Sequence, residues 1–326
     1  MVIALIGATG LVGREIIKKL EENETFKSFD FLFFANEKNK NKEIVFRNNK
    51  YKLKTIKEAI KKKPNYVLFS AGSTIAKKFA KKFIKNGAAV IDNSSAFRME
   101  KKHKLIVPEI NGKKITLKDK IIANPNCSTI QLVLSLFQIH KHIGIKRLIV
   151  STYQSVSGSG QKGINQLQKE EKKEKVKNPI YLKKIYNNAI PHCDTLLKNG
   201  YTKEEEKIIF ETNKILDSKI KITATAVRIP TSGGHGESVN VELKKQTSIE
   251  KIINLLNKQE GLKIGLGEDY KTPIEAKGRD EVFVSRIRKD TSCENSFNMW
   301  VVADPLRKGA ATNAIQILEK VISLNN

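Results

Sequence analysis

Apolar residues fall into two regimes along this chain. Up to about residue 127 they form short unbroken runs: Val2–Ile6, Asp30–Phe34, 66–70, Ala89–Asp92 and Ile121–Ala123. Runs of that length, with no polar residue on alternate positions, are expected of strands buried on both faces. Amphipathic stretches at 14–20 and 75–86 lie between them and predict helices. Strands alternating with helices imply a doubly wound parallel sheet. Beyond residue 127 the pattern changes. A helix is predicted over 130–137 and a long strand over 147–154, and a helix again over 202–216. Residues 222–229 and 239–243 alternate apolar with polar, as half-buried strands do. With 282–287 and 299–303 they predict a second, mostly antiparallel sheet. The charge run 169–177 reads as a solvated helix or loop, and 309–324 as a long amphipathic helix. No internal repeat appears.

The segments between these elements carry the chemistry. Gly7-Ala8-Thr9-Gly10-Leu11-Val12-Gly13 stands between the first strand and the first helix. That is a G-x-x-G-x-x-G form of the dinucleotide fingerprint. Its glycines permit a tight turn and a close approach of the backbone to a pyrophosphate at a helix N-terminus. The fold class is therefore α/β: a doubly wound Rossmann-type parallel sheet plus a second α+β domain with a mostly antiparallel sheet. At the tip of the second strand the acid that reads a ribose is missing, and the chain reads Ala35-Asn36-Glu37-Lys38. A cation there suits a 2′-phosphate, hence NADP rather than NAD, with Asn36 and Lys38 as contacts. Ser70-Ala71-Gly72 is a run of small residues across which a cofactor can lie. Arg98 follows the strand Ala89–Asp92 on the edge where ligands bind, and a guanidinium there can clamp an oxyanion in bidentate fashion.

Asn124-Pro125-Asn126-Cys127-Ser128-Thr129 joins a strand to a helix. Asparagine before proline is held out of the helical region, so the turn is fixed and Cys127 sits at or just before the helix N-terminus. Backbone N–H groups and the helix dipole stabilise a thiolate there, which makes Cys127 a candidate nucleophile. The plain alternative is a buried structural cysteine. Ser155 to Gly160 form a small-residue loop suited to close packing on a ligand. Glu204 and Lys207 share one helical face, a spacing that also suits an ordinary surface pair. His235 lies in the glycine-rich stretch 231–238, where a general acid/base is plausible.

Composition changes this picture little. The 326 residues suggest two domains and a sizeable core, and 40% hydrophobic content marks a globular chain. The formal charge of +26 invites a nucleic-acid reading. The lysines are spread along the whole chain and no aromatic-plus-basic module appears, so no specific nucleic-acid partner is expected. Three cysteines without a CxxC exclude a disulfide framework or zinc site, and no metal site is expected. No run reaches membrane-spanning length and no basic leader precedes the first strand, so a cytoplasmic protein with no membrane partner is expected.

Taken together, Gly7 to Gly13, 70–72, 93–99, 107–109, 124–129, 151–160, Glu204 to Lys207, Arg228-Ile229-Pro230 with His235, and 308–313 resemble the aspartate-β-semialdehyde dehydrogenase family over nearly the whole length. The resemblance implies that Cys127 attacks the acyl phosphate of 4-phospho-aspartate to form a thioester. It implies His235 as acid/base, Gln154 and Asn126 orienting the acyl group, Arg98 and Lys207 holding phosphate, Arg228 the α-carboxylate and Glu204 the α-ammonium. Thr9, Gly10, Leu11, Val12, Gly13, Lys38, Ser157, Gly158 and Asn313 would hold the cofactor. It also implies a last helix that returns to the first domain. The division is then 1–127 with 309–326 for dinucleotide binding, and 128–308 for catalysis, substrate binding and dimerisation in a homodimer. His192-Cys193 departs from the family, where glutamine and an apolar residue are frequent. The related N-acetyl-γ-glutamyl-phosphate reductases share this chemistry but resemble Pro-Gly-Cys where this chain has Pro125-Asn126-Cys127. A non-catalytic paralogue is the remaining alternative, and the joint presence of Cys127, His235, Gln154 and Arg228 speaks against it.

Overall fold

The computed structural model describes residues 1–324. Contacts divide the chain into two compact units, Met1–Pro125 with the segment from Ala310 onward, and Asn126–Gly309. Asn126 and Cys127 thus fall with the second unit.

The first unit holds a six-stranded sheet in the order Asp30–Phe34, Val2–Ile6, Tyr66–Phe69, Ala89–Asp92, Ile121–Ala123, Lys104–Leu105. Every pairing in it is parallel, beginning with Val2 opposite Asp30 and Ile3 opposite Tyr66. The unbroken apolar runs have this outcome because both faces of the central strands are covered, and Tyr66 to Phe69 are all buried. The helix over 14–20 begins earlier and ends later, as Leu11–Glu22, with Gly10 as its N-cap. Its Ile16, Ile17 and Leu20 pack into one core with Ile315, Leu318 and Ile322 of the closing helix, Thr312–Ser323. An unforeseen hairpin, Glu43–Phe46 with Asn49–Lys52, adds Phe46 to Phe31 and Phe33, with ring centroids 4.7 and 5.3 Å away.

The second unit holds a mixed sheet in the order Lys221–Ile229, Ile145–Ser155, His235–Leu243, Ser296–Ala303, Val282–Lys289, Leu262–Ile264. The three central pairings are antiparallel and the two outer ones parallel. Along Ile145–Ser155 burial alternates, so Leu148, Val150, Thr152 and Gln154 face one way and Ile149 and Tyr153 the other. The helix over 130–137 runs the full length Cys127–His142 and is buried almost all round, which makes it the central helix of this unit. Helices Gln161–Glu171 and Ile249–Asn257 were not anticipated; the first takes in the opening residues of the charge run at 169–177. No helix among the described residues is long and apolar enough to cross a membrane.

Candidate active site

Asn126 caps the helix Cys127–His142. Its backbone is extended (φ −62°, ψ 145°), and its Oδ1 accepts from the N–H groups of Ser128 and Thr129. Two of the orphan donors of the helix end are thereby satisfied. The Nδ2 of the same side chain donates to Glu204 Oε1 at 2.8 Å, and its main-chain N–H donates to Glu211 Oε2 at 2.7 Å. Cys127 follows, partly exposed, as the first residue of the helix. A side chain on Gly309 would place its Cβ 2.8 Å from that of Cys127, so glycine there keeps the thiol's flank open.

Gln154 is 1% exposed at the end of its strand. Its Nε2 donates to Ser128 Oγ (3.1 Å), Thr152 Oγ1 (3.3 Å) and Glu204 Oε1 (3.2 Å). Glu204 is therefore buried within the site and not at its rim. Burial works against its charge, but the ammonium of Lys207 and the Asn126 amide prevail and hold its carboxyl below the ordinary range. Lys207 Nζ lies 3.0 Å from Glu204 Oε2 and 2.6 Å from Asp194 Oδ2. Burial would lower its pKa, yet the two carboxylates raise it. The pair read from spacing exists, but it is a triad that runs from the buried Glu204 through a half-buried Lys207 to the exposed Asp194. Asp194, whose carboxyl is held low by Lys207 against burial, was not legible beforehand.

Arg228 stands beside Gln154 in the parallel ladder and donates from Nη1 to Ser155 O at 2.8 Å. His235 does not lie in a loop: it opens the strand His235–Leu243 and is wholly buried. The Ser155 N–H donates to its Nδ1 at 3.1 Å. That bond assigns the proton of the neutral ring to Nε2. Burial, reinforced by Arg228, lowers its pKa to about 3, so the ring is neutral at physiological pH. Its Nε2 has no hydrogen-bond partner and is roofed by Gly158, where a Cβ would lie only 2.7 Å away. Ser157 turns inward instead, its Oγ 2.6 Å from Ser155 Oγ and 3.3 Å from Gly233 O. Two groups with no predicted role lie close by. Cys193 is buried, and burial raises its thiol to about 11, which leaves it inert. Glu237, two residues after His235, is fully buried, and burial pushes its carboxyl well above the ordinary range.

The remaining predicted residues belong to the first unit. Gly7 has φ +95°, and a Cβ on it would meet Ser70 O at 2.3 Å. A Cβ on Gly13 would meet Gly7 O at 2.1 Å, so helix and strand touch there. Gly10 is exposed and no side chain caps the helix that follows, so the N–H groups near Leu11 and Val12 are open to an anion. Asn36 and Lys38 are exposed on the turn after the second strand, and Asn39 of that turn reaches Thr9 Oγ1 at 3.4 Å. Ser70 and Gly72 end the third strand of the sheet and lead into the helix Ser73–Lys85, with Gly72 at φ +83°. Arg98 is 8% exposed and donates from Nη2 to Asn93 O at 2.9 Å. Asn313 is fully buried, its amide donating to Asn124 Oδ1 and Ile106 O, so its side chain faces into the unit.

Comparison with known proteins adds three findings. Residues 2–118 match the family described as semialdehyde dehydrogenase, NAD binding domain, and residues 136–308 the semialdehyde dehydrogenase, dimerisation domain. The chain is 46% identical over 332 residues to an aspartate-semialdehyde dehydrogenase of Aquifex aeolicus, covering 98% of this chain and 97% of that one. It is 39% identical to that of Bacillus subtilis, covering 99% and 98%. Among solved structures, aspartate semialdehyde dehydrogenase II of Vibrio cholerae complexed with ASA superposes with a TM-score of 0.95 at 38% identity, covering 99% of this chain and 98% of that one.

Proposed function

The chain belongs to the aspartate-semialdehyde dehydrogenase family, and from that premise we propose that it reduces 4-phospho-L-aspartate to L-aspartate 4-semialdehyde and inorganic phosphate with NADPH, through a thioester on Cys127. The observation that carries the reading is the buried network that ties Asn126, Gln154, Glu204 and Lys207 around the start of the Cys127 helix. Such a network holds a nucleophile and its substrate's polar groups in one geometry.

Cys127 Sγ attacks the acyl carbon, the carbon–oxygen bond to phosphate breaks, and phosphate leaves with the electron pair. A thiolate is the best side-chain nucleophile near neutral pH, and the thioester accepts hydride more readily than a carboxylate would. Gln154 and Asn126 orient the acyl oxygen. His235, neutral with its proton on Nε2, donates to that oxygen as charge develops there. It is thus set up for the acid half of its role, because the Ser155 N–H occupies Nδ1. Arg228 holds the α-carboxylate in a planar fork, and Glu204 offers its remaining lone pairs to the α-ammonium. Lys207 and Arg98 take the phosphate.

The first unit fits a dinucleotide: the uncapped helix end at Gly10 suits a pyrophosphate, and the exposed Lys38 a 2′-phosphate. Thr9, Gly10, Leu11, Val12, Gly13, Asn36, Lys38, Ser70 and Gly72 there would hold NADPH, which supplies the hydride when bound. In this reading residues 1–127 with 309–326 bind the dinucleotide, and 128–308 carry the substrate chemistry and pair two copies into a homodimer in the cytoplasm. The dimerisation-domain match supports the pairing.

The test is NADP reduction with aspartate semialdehyde in the presence and absence of phosphate, with intact-mass detection of the acyl-enzyme. Phosphate-dependent turnover and an adduct on Cys127, lost in Cys127→Ser, are expected. An adduct on Cys193 or Cys293, or preferential turnover of N-acetylglutamate semialdehyde, overturns the proposal.

A further inference from the structure

The helix Lys203–Leu216 presents Glu204, Lys207 and Glu211 at intervals of three and four residues, which lie on one face. The first two are in the site already described. Glu211 is 1% exposed, and its Oε2 accepts the main-chain N–H of Asn126 at 2.7 Å. Pro125 has no N–H to give, and the N–H of the extended Asn126 belongs neither to the strand before it nor to the helix ladder after it. Glu204 meanwhile takes the side chain of the same asparagine. One helix therefore fixes Asn126 at two points, main chain and amide, which sets both its place and its rotation. Its carbonyl accepts from Ile130 N–H at 3.0 Å, so that setting passes into the first turn of the helix on which Cys127 sits.

We propose that Glu211 is a positioning residue for the nucleophile: it anchors the backbone immediately before Cys127 and so sets the direction of Sγ. A charge-assisted bond of 2.7 Å is short and directional, as such anchoring needs. The inference rests on Cys127 being the nucleophile. Glu211 acts here through the Asn126 main chain, so its loss should slow the step in which Sγ moves and leave binding nearly as it was.

The experiment is rapid-quench intact-mass measurement of thioester formation with the full-length protein, in wild type, Glu211→Ala, Glu211→Asp and Glu211→Gln, each with its melting temperature. Glu211→Ala and Glu211→Asp, which remove the acceptor or withdraw it by a methylene, should acylate at least about tenfold more slowly, with KM for aspartate semialdehyde within about threefold. Glu211→Gln keeps an acceptor oxygen and should recover most of the rate. A purely structural role would lower the melting temperature and leave the rate per folded enzyme unchanged, which overturns the proposal. Where the alanine variant does not fold, the other two decide: slow Asp with fast Gln upholds it, and equal rates or the reverse order overturn it. Wild type that forms no adduct on Cys127 fails the underlying reading instead, a separate result.

Discussion

Gly158→Ala is the sharpest local perturbation the site allows. Gly158 is exposed and has no positive φ, so alanine fits its backbone and should by itself gain a few tenths of a kcal/mol by restricting the unfolded chain. The conflict is steric and falls on two functional groups at once. The new Cβ would lie 2.7 Å from His235 Nε2 and 3.0 Å from Arg228 Nη1. Ordinary carbon contacts begin near 3.4 Å, so the loop or the imidazole must move by about 0.7 Å. His235 cannot give way cheaply, because it is wholly buried and pinned at Nδ1 by Ser155 N–H. Overpacking of this kind costs roughly 1–3 kcal/mol when it is not relieved. A misplacement of about 1 Å in a reacting group costs up to about a hundredfold in rate. We therefore expect kcat for aspartate semialdehyde oxidation to fall by about ten- to a hundredfold. The melting temperature should change by no more than a few degrees, since the strain is confined to one loop. Steady-state kinetics and calorimetry on the purified variant supply both numbers. A variant within about twofold of wild-type kcat would show that His235 Nε2 is not the proton donor, or that the loop does not sit over it during turnover.

Glu204→Gln should lower kcat/KM for aspartate semialdehyde by about tenfold or more, on the order of 1.4 kcal/mol, and unchanged kinetics would return Glu204 to a purely structural role. Because Glu204 is buried and also partners Asn126, Gln154 and Lys207, a drop in melting temperature should accompany it, which an ordinary surface pair would not show. His235 gives a pH signature: with its folded pKa lowered to about 3, the unfolded chain binds a proton below about pH 6.5 that the folded chain refuses. Stability is then full above that value and falls on acidification by up to about 1.4 kcal/mol per pH unit, a slope that His235→Asn should remove in denaturant titrations between pH 4 and 6; parallel curves would contradict the burial argument. Lys38→Ala should reduce kcat/KM for NADPH by about one to two decades and leave NADH within about threefold, from the roughly 1.5–3 kcal/mol of a charged hydrogen bond, and equal losses for both cofactors would detach Lys38 from the 2′-phosphate.

The elements that the sequence revealed are those held by apolar burial with a regular period. Tyr66 to Phe69 or Ile121 to Ala123 have no polar face to lose, so their runs announce strands buried on both sides. Two of the missed elements lack such a signal. Gln161–Glu171 fully buries Gly163, Gln166 and Glu170, and beside the packing of Ile164 and Leu167 much of its hold on the chain is polar. Gln166 Oε1 accepts from the N–H of Ile180, and Glu170 Oε2 from those of Ile185 and Tyr186. With only Ile164 and Leu167 apolar, its hydrophobic period is too short to announce a helix. The hairpin at 43–52 turns through Arg47 and Asn48, both at positive φ, with no glycine to signal it.

The site divides in the same way. Cys127 and His235 were singled out where the apolar pattern breaks, whereas Gln154 and Arg228, at the ends of their strands, were named through the family resemblance. Glu211, Asp194 and Ser155 act through bonds to residues 85, 13 and 80 positions away, and nothing in their neighbourhood distinguishes them from solvated polar residues. The net charge misleads for a related reason. Among the described residues, Asp92, Glu170, Glu204, Glu205, Glu211, Glu237 and Asp304 are buried acids, whereas of the basic residues only Arg98, Arg228 and Lys308 are buried. The outside is then more basic than even +26 suggests, and the inside is comparatively rich in acids. A carboxylate offers about four acceptor sites to fixed N–H donors, so a few of them can gather several segments at once, as Glu204 gathers Asn126, Gln154 and Lys207. An ammonium on a long flexible stem, with its strong hydration, is better left in water. The lysine excess thus belongs to the solvent side of the molecule, and the acids that gather the segments around Asn126 are the minority charge that composition hides.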